Sequence, residues 1–258
     1  MGGLRAILIL KNSKMNPFFF KTTKLISLCT VALTTAFLLS CEEEIPKNSI
    51  LVPELEKPIY IPHEPGKILS YDDIYYGMDL SFYVPPGIDE LKNRPFLFTL
   101  STMRNSSVTG SMLSVVEKYG MIAVSPKNGN DLQFKAFVET MIATEYVDST
   151  KVFMAGFSNG GRDVYELAWG MQDKVKGVVL LDPSAMFSGE PKENSILSVC
   201  IVCQEERVNE YGGSVSGLNS NGIKAKIISV KGTDHFGILS PFTENQKKSC
   251  FEFVLHSD

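Results

Sequence analysis

A serine between glycines is the clearest sign of chemistry in this sequence. Residues 156–160 read Gly-Phe-Ser-Asn-Gly and follow the apolar run 151–155. The pattern G-x-S-x-G is typical of a sharp turn from a strand into a helix, and the glycines are needed because side chains there would collide. The same turn directs the backbone N–H of Asn159 and the helix N-terminus toward a developing oxyanion. The pattern therefore predicts that Ser158 is a nucleophile.

Histidine is scarce, and this scarcity narrows the choice of a general base. The chain has three histidines: His63, His235 and His256. His63 lies in a proline-rich segment, and His256 lies close to the last residue, whereas His235 follows the apolar run 223–230. Imidazole has an unperturbed pKa of about 6.5, which suits proton transfer in both directions at neutral pH. We therefore predict that His235 is the general base for Ser158.

Two carboxylates compete for the role of orienting His235. Asp182 directly follows the apolar run 175–181, and Glu206 lies shortly after the run 196–202. A carboxylate that binds the imidazole would hold the ring in place and stabilise the imidazolium. Glu205, Asp234 or no acid at all are further alternatives, so the residues leave this choice open.

Strands and helices alternate from residue 67 onward and must position these side chains. The predicted strands are 67–71, 80–84, 95–100, 121–125, 151–157, 175–181, 196–202 and 223–230, and the predicted helices are 110–119, 132–146, 160–169 and 243–255. Continuous apolar strands that alternate with helices indicate the α/β class, with a mostly parallel central sheet flanked by helices. Ligands bind such sheets at the carboxyl ends of the strands, where the candidate residues fall.

Three stretches carry a resemblance to a known superfamily. They are YVDSTKV at 146–152, GFSNGGRDVYELAW at 156–169 and LSFYVPPG at 80–87. Residues 67–255 resemble the α/β-hydrolases, in particular small secreted esterases of the feruloyl-esterase, acetyl-xylan-esterase and polyhydroxybutyrate-depolymerase type. The resemblance implies the α/β-hydrolase fold and a catalytic order of Ser, acid and His.

The resemblance also bears on the acid and on access to the site. Glu206 matches the position where most relatives carry Asp, and Asp182 matches the acid of relatives similar to platelet-activating-factor acetylhydrolase and chlorophyllase. No long insertion follows residue 181, so we expect no lid and an open site for small esters or esters displayed on polymers.

The expected oxyanion hole departs from the pattern of these relatives. They carry His-Gly or a glycine-rich motif after the strand that here ends at residue 100, whereas this chain has Ser-Thr-Met-Arg-Asn at 101–105. Such a hole uses main-chain donors. We therefore expect the backbone N–H of Thr102 or Met103 to act together with that of Asn159.

The first forty residues are typical of a secretory signal. They contain five basic residues and no acidic one, and an apolar run over 25–39 follows Lys21 and Lys24, with Met15 as the predicted true start. The run ends in Leu-Leu-Ser-Cys at 38–41, which resembles the lipobox of bacterial lipoproteins and implies lipidation of Cys41. The alternative is an ordinary cleaved signal with Cys41 unmodified.

A tether follows this signal and precedes the predicted domain. Three glutamates at 42–44 resemble the surface-export signal of lipoproteins in Bacteroidota, although a solvated run of charge at the head of a tether is an equal alternative. Residues 41–66 are rich in proline, which is typical of a semi-rigid spacer, and 67–258 form the predicted domain. We expect a lipid-anchored protein of the bacterial cell envelope, at the outer membrane or cell surface rather than the periplasmic face.

Composition excludes several other classes of function. Without the five basic residues of the first forty, the chain has 20 basic against 29 acidic residues, a net charge of -9. It has no basic cluster of the kind that contacts nucleic acid. No metal, nucleotide or flavin signature is present, and we expect no cofactor. Cys200 and Cys203 fall on opposite faces of one strand, so we expect core packing, with pairing to Cys250 as the alternative.

The sequence thus favours a serine esterase that acts on extracytoplasmic esters, such as acyl groups carried by polysaccharides. Two alternatives remain: a non-catalytic binding lipoprotein that kept the fold, and a serine peptidase or acyltransferase with the same catalytic residues. The oligomeric state is left open.

Overall fold

The computed structural model describes Ile61 and residues 64–257. Within these residues eight strands form one sheet: β1 Ile68–Tyr75, β2 Met78–Tyr83, β3 Arg94–Ser101, β4 Ile122–Pro126, β5 Val147–Phe157, β6 Gly177–Leu181, β7 Ser198–Gln204 and β8 Ala225–Val230. Their order across the sheet is β1-β2-β4-β3-β5-β6-β7-β8. β2 pairs antiparallel with β1 and with β4, and every other neighbouring pair is parallel. The predicted mostly parallel sheet is confirmed.

Helices cover both faces of this sheet. They are α1 Ser107–Ser111, α2 Leu113–Lys118, α3 Asp131–Ile142, α4 Asn159–Gly170, α5 Val208–Ser220 and α6 Glu244–Leu255. Buried side chains of α3, α4 and α5 share one hydrophobic cluster, and those of α1, α2 and α6 share another. Along β3 the side chains alternate between the two, because Phe96 and Phe98 lie in the first cluster and Leu97 lies in the second. The sheet therefore has a separate core on each face.

The helices differ from the prediction in three places. The predicted helix at 110–119 is two short helices, because the backbone at Met112 departs from helical geometry with φ −107° and ψ 6°. The predicted helix at 132–146 ends at Ile142, and β5 already begins at Val147. α5 was not predicted: glycines at 212, 213 and 217 lower its helix propensity, and it is held in place by burial of Tyr211 and Leu218.

The cysteines of the described chain are buried free thiols. Cys200 and Cys250 lie in one hydrophobic cluster, and Cys203 lies in the other, as the alternation along a strand predicts. Each thiol therefore packs as a small apolar side chain.

The predicted signal, Cys41, the glutamates at 42–44 and nearly all of the tether lie outside the described residues. Of the helices in residues 64–257, none has the length and apolar character that a membrane crossing requires.

Candidate active site

Ser158 occupies the junction between β5, which ends at Phe157, and α4, which begins at Asn159. Its backbone has φ 57° and ψ −123°, a conformation that costs a non-glycine residue of order 1–3 kcal/mol. Backbone hydrogen bonds hold it there: Ser158 N–H donates to Leu181 O at 3.1 Å, and Ser158 O accepts from the N–H of Ser184 at 3.0 Å. The strained turn that the motif predicts is present.

The two glycines of the motif lie where the backbone leaves no room for a side chain. A Cβ on Gly156 would overlap Gly160 O, and a Cβ on Gly160 would lie 2.7 Å from Leu100 O and from the carbonyl carbon of Ser101. These two neighbours belong to the end of β3. The glycines therefore allow the junction to pack directly against the adjacent strand.

His235 lies next to this junction. It follows β8 and precedes a 3-10 helix at Phe236–Leu239. Its ring stacks on that of Phe157, with the ring centroids 4.6 Å apart and the planes inclined by 29°. The imidazole thus lies against the residue directly before Ser158.

Ser158 Oγ has no hydrogen bond in the described part of the chain, and catalytic hydrogen bonds of this kind commonly tighten only when substrate binds.

Asp182 is the carboxylate that the structure brings to His235. Its Oδ2 lies 2.5 Å from His235 Nδ1, and its side chain is fully buried while that of His235 is 32% exposed. Asp182 directly follows β6 and has φ 46°, in the left-handed region, with its N–H donating to Val202 O at 2.8 Å. The turn at the end of β6 therefore directs the carboxylate along the sheet edge toward the histidine loop, which is the segment 231–243 between β8 and α6 that carries His235.

Three further side chains bind the same carboxylate, and sequence reasoning did not single them out. Gln204 Nε2 donates to Oδ2 at 2.8 Å, and Arg207 Nη1 lies 2.9 Å from Oδ1. The hydroxyl of Tyr211 lies 3.3 Å from Oδ1 and shares its single proton between that oxygen and Pro183 O, which is nearer at 2.6 Å. Both oxygens of Asp182 thus have two partners each, which compensates the cost of burying a charge. Burial and the nearby Asp182 carboxylate raise the pKa of Tyr211, so its phenol stays a neutral donor. Gln204 is the last residue of β7, and Arg207 and Tyr211 follow it in the segment that also contains Glu206.

The other candidate acids lie elsewhere. Glu205 and Glu206 are exposed in a 3-10 helix at Glu205–Arg207, and Asp234 is exposed and accepts the N–H of Gly237 at 2.6 Å. No hydrogen bond joins any of these three to His235 within residues 64–257. The structure therefore places Asp182 in contact with His235, beside the turn that carries Ser158, and leaves the two glutamates out of that contact.

Thr102 lies on the side of Ser158 where the oxyanion hole is expected, and its side chain makes contacts there that the sequence did not reveal. Its Oγ1 accepts the backbone N–H of Asn159 at 3.0 Å and donates to Phe157 O at 3.2 Å. The hydroxyl thus bridges the residues on both sides of Ser158. The amide of Asn159 is the one predicted to bind an oxyanion, and its N–H donates to Thr102.

Two exposed apolar side chains border the site. Phe236 is 64% exposed, and its ring centroid lies 5.5 Å from that of His235; Met103, directly after Thr102, is 59% exposed. Exposed apolar groups beside polar reactive groups are typical of surfaces that receive a ligand. Within the described chain, no group of three or more His, Cys, Asp or Glu side chains is placed to hold a metal ion.

Comparisons with known proteins identify the architecture. No family model and no curated protein matches the chain, whereas several solved structures do. A protein from Klebsiella pneumoniae named as a dienelactone hydrolase has a TM-score of 0.55 at 13% identity, over 74% of this chain and 98% of its own. Est1E from Butyrivibrio proteoclasticus has a TM-score of 0.51 at 16% identity, over 70% and 95%.

A third similar structure is the thermophilic esterase Est2 from Thermogutta terrifontis, with a TM-score of 0.53 at 12% identity, over 73% of this chain and 89% of its own. At such identities the likeness establishes the fold and leaves the activity to be argued from the site. Together with the strand order and the turn at Ser158, it shows that this chain has the α/β-hydrolase fold.

Proposed function

We propose that the protein is a serine ester hydrolase in which Ser158 is the nucleophile, His235 the general base and Asp182 the residue that orients the histidine. The observation that carries this proposal is the hydrogen bond from His235 to a buried carboxylate, beside a serine held in a strained strand-to-helix turn. Each member lies at the carboxyl end of a strand, where this class of sheet binds its ligands.

The arrangement supports a two-stage reaction. Ser158 Oγ attacks the ester carbonyl carbon while His235 takes the hydroxyl proton, and a tetrahedral oxyanion forms. Collapse breaks the bond to the leaving oxygen, which takes the proton from His235 and departs as an alcohol. Water then attacks the acyl-enzyme with His235 again as base, releasing the acid and restoring Ser158. Asp182 stabilises the imidazolium in both stages.

The surroundings of Ser158 favour esters with an accessible apolar acyl or aryl group. Phe236 and Met103 offer exposed apolar surface beside the reactive groups. The segment between β6 and β7 packs back on α4, since Tyr165 OH donates to Phe187 O at 2.7 Å, and this supports an open site. Two structures similar to this chain carry ferulic acid, in Est1E, and propionate, in Est2. We propose carboxylic esters of this kind, including esters displayed on polysaccharides.

We also propose that lipidation of Cys41 anchors the enzyme in the bacterial cell envelope, at the outer membrane or cell surface. The support is the signal-like segment and its Leu-Leu-Ser-Cys ending. Replacing Cys41 with Ser in the full chain should move the protein from the membrane fraction to the soluble fraction of cells. Retention of the variant in the membrane would refute the anchor.

A fluorophosphonate probe tests the nucleophile directly. Wild-type protein should be labelled, the Ser158→Ala variant should not, and Ser184→Ala, which changes a nearby serine, should be labelled like the wild type. Hydrolysis is then measured on aryl acetates, feruloyl esters and aminoacyl amides. Turnover of esters in preference to amides supports the esterase, whereas preference for the amides would indicate a peptidase.

One observation favours a second candidate, a non-catalytic binding protein. The N–H of Asn159 is engaged by Thr102, and the loss of one oxyanion donor costs about 3 to 4 kcal/mol of transition-state stabilisation. This candidate predicts that neither wild type nor Ser158→Ala reacts with the probe. Labelling that depends on Ser158 would exclude it.

A further inference from the structure

The acid of the proposed triad is itself ion-paired. Arg207 Nη1 lies 2.9 Å from Asp182 Oδ1, and the opposite oxygen, Oδ2, bonds His235 at 2.5 Å. The Arg207 side chain is 21% exposed and the Asp182 side chain is fully buried. One buried carboxylate therefore lies between a permanent cation and an imidazole that must become a cation during the reaction.

The charge on Arg207 opposes protonation of His235. An isolated aspartate would stabilise the imidazolium by its full negative charge, whereas an aspartate with a guanidinium on its other oxygen offers a field that is largely cancelled. The influence of Arg207 on His235 is strong because Asp182 is buried away from water. Interactions between buried charges are screened much less than those between charges in water.

We propose that Arg207 is a positioning residue that sets the acid limit of catalysis: acting through Asp182, its guanidinium keeps His235 unprotonated, and so able to act as base, in more acidic solution than an unopposed aspartate would allow. The inference rests on the proposed function, since it assigns His235 and Asp182 the roles given above. It assigns a role to Arg207, a residue that does not contact the reacting atoms.

The other groups around Asp182 do not supply this charge. From β7, Gln204 is neutral, and burial together with Asp182 raises the pKa of the Cys203 thiol to about 12. From α5, Tyr211 is a neutral phenol, and Glu210 is an exposed anion bound to Arg207 at 2.9 Å.

The histidine loop contributes one further charged group, Asp234, which is exposed and bonded to the N–H of Gly237. Aromatic rings of Phe157 and Phe236 contact His235 on its other sides. Among the described residues, Arg207 is thus the cation in contact with Asp182.

Arg207 also makes contacts that a purely structural role would use. Its Nη2 donates to Pro183 O at 3.1 Å, and its guanidinium lies 5.0 Å from the centre of the Tyr211 ring. These contacts hold the turn after Asp182, which has a left-handed backbone. Loss of this support alone would lower activity equally at every pH, so the shape of the pH profile separates the two roles.

The test measures the second-order rate of fluorophosphonate labelling across acidic to mildly alkaline pH, which requires no knowledge of the natural ester. Arg207→Gln and Arg207→Met remove the charge, and Met keeps the stem that packs near Tyr211. The acid limb of the pH profile is the range in which the labelling rate falls as the pH is lowered. In both variants this limb should move to higher pH by roughly one unit, so that at the lowest pH values the labelling rate, relative to its plateau, falls by about tenfold. Arg207→Lys retains a cation and should keep the limb close to the wild-type position.

Glu210→Gln is the matched control, because it removes the exposed partner of Arg207 and leaves the guanidinium on Asp182; its limb should not move to higher pH. An acid limb that stays in place in Arg207→Gln and Arg207→Met, with only a lower plateau, would overturn the inference. So would a limb that moves to lower pH.

A second measurement separates this inference from the proposed function. The imidazole of His235 is titrated by NMR in the Ser158→Ala background, with and without Arg207→Met. Its protonation should occur at higher pH when Arg207 is absent, and an unchanged titration would refute the inference. If wild-type protein is not labelled by the probe, the serine hydrolase proposal fails, while the titration still tests the influence of Arg207 on His235.

Discussion

At the scale of single residues, burial separates the two carboxylates that the sequence left in competition. Asp182 is fully buried and bonds His235, whereas Glu206 is exposed in a short 3-10 helix. A buried carboxylate holds an imidazole firmly because water does not compete for either partner. The geometry therefore favours Asp182, and the choice leads to a direct experiment.

Asp182→Asn should lower kcat by roughly three to four orders of magnitude, because an amide neither holds the required tautomer of His235 nor stabilises its positive charge. Glu206→Gln removes a charge of similar size from an exposed position and should leave kcat within about twofold of wild type. The two variants are assayed side by side on an aryl ester, with circular dichroism to check folding. A large loss in Glu206→Gln together with an active Asp182→Asn would reverse the assignment.

The hydroxyl of Thr102 leads to a second prediction at this scale. Because Thr102 Oγ1 accepts the N–H of Asn159, we expect it to compete with a substrate oxygen for that donor. Thr102→Ala frees the amide and should raise the second-order rate of fluorophosphonate labelling about two- to tenfold, the equivalent of one ordinary hydrogen bond. Thr102→Ser keeps the hydroxyl and should behave as wild type. A slower Thr102→Ala would show instead that the hydroxyl assists the reaction.

At the scale of elements, the site depends on how closely the β5–α4 junction approaches the end of β3. A side chain at Gly160 would meet backbone atoms of Leu100 and Ser101, which cannot turn aside as a flexible side chain would. Gly160 thus allows the turn at Ser158 to pack directly against the end of the strand that precedes Thr102, and the two parts of the candidate site are positioned together.

Gly160→Ala should therefore reduce labelling of Ser158 by at least about a hundredfold and destabilise the fold by about 1–3 kcal/mol through overpacking. Gly170 lies at the other end of the same helix, and a Cβ there would meet nothing within 4 Å. Gly170→Ala is therefore the matched control, with full labelling and equal or slightly higher stability, since alanine favours a helix. Labelling rates and thermal melts report both effects, and equal behaviour of the two variants would contradict this account.

α5 shows how an element can shape a site without carrying a reactive group. It begins directly after Arg207 and contributes Tyr211, so the environment of Asp182 depends on a helix that the sequence pattern did not predict. Its glycines weaken the local preference for a helix, and burial against the sheet overcomes that weakness. The surroundings of Asp182, the proposed catalytic acid, are in this respect a tertiary property.

At the scale of the whole molecule, a buried lysine links α6 to the histidine loop. Lys247 is 1% exposed, and its Nζ donates to Ser240 O at 3.0 Å and to Leu239 O at 3.4 Å, in the segment that follows His235. Burial lowers the pKa of Lys247 from its ordinary value of 10.5 to about 8. The charged form is therefore disfavoured in the folded protein.

This shift predicts how stability depends on pH. Between about pH 8 and 10.5 the unfolded chain keeps the proton of Lys247 and the folded protein loses it, so this group's contribution to the free energy of unfolding rises with pH. Below pH 8 both states carry the proton and the contribution is constant. The difference in Tm, wild type minus Lys247→Met, should therefore increase by a few degrees from neutral to alkaline pH. Thermal melts of both proteins measure it.

The difference between the two proteins isolates Lys247, because buried tyrosines such as Tyr165, whose pKa is raised by burial, titrate alike in both. Lys248→Met changes a neighbouring, half-buried lysine paired with Glu244 and should leave the pH dependence unchanged. A Tm difference that is flat or falls with pH would contradict the burial of this amine.

The sequence by itself determined the α/β class, the mostly parallel sheet and the strained turn at Ser158, because each rests on a local cause: continuous apolar runs that alternate with helical patterns, and a serine flanked by glycines between a strand and a helix. It also indicated His235 as the base, because the chain has few histidines and His235 is the one that follows the last predicted strand. Neither argument required knowledge of which distant residues meet.

Only the tertiary structure decided which acid reaches His235, what binds that acid and where Thr102 lies. Glu206 and Asp182 both follow apolar strands, so their local patterns are nearly alike. Their difference lies in contacts between segments that are far apart along the chain, from Asp182 to His235 and from Thr102 to Asn159. Such contacts depend on the register and packing of neighbouring strands, which no local preference of the sequence encodes.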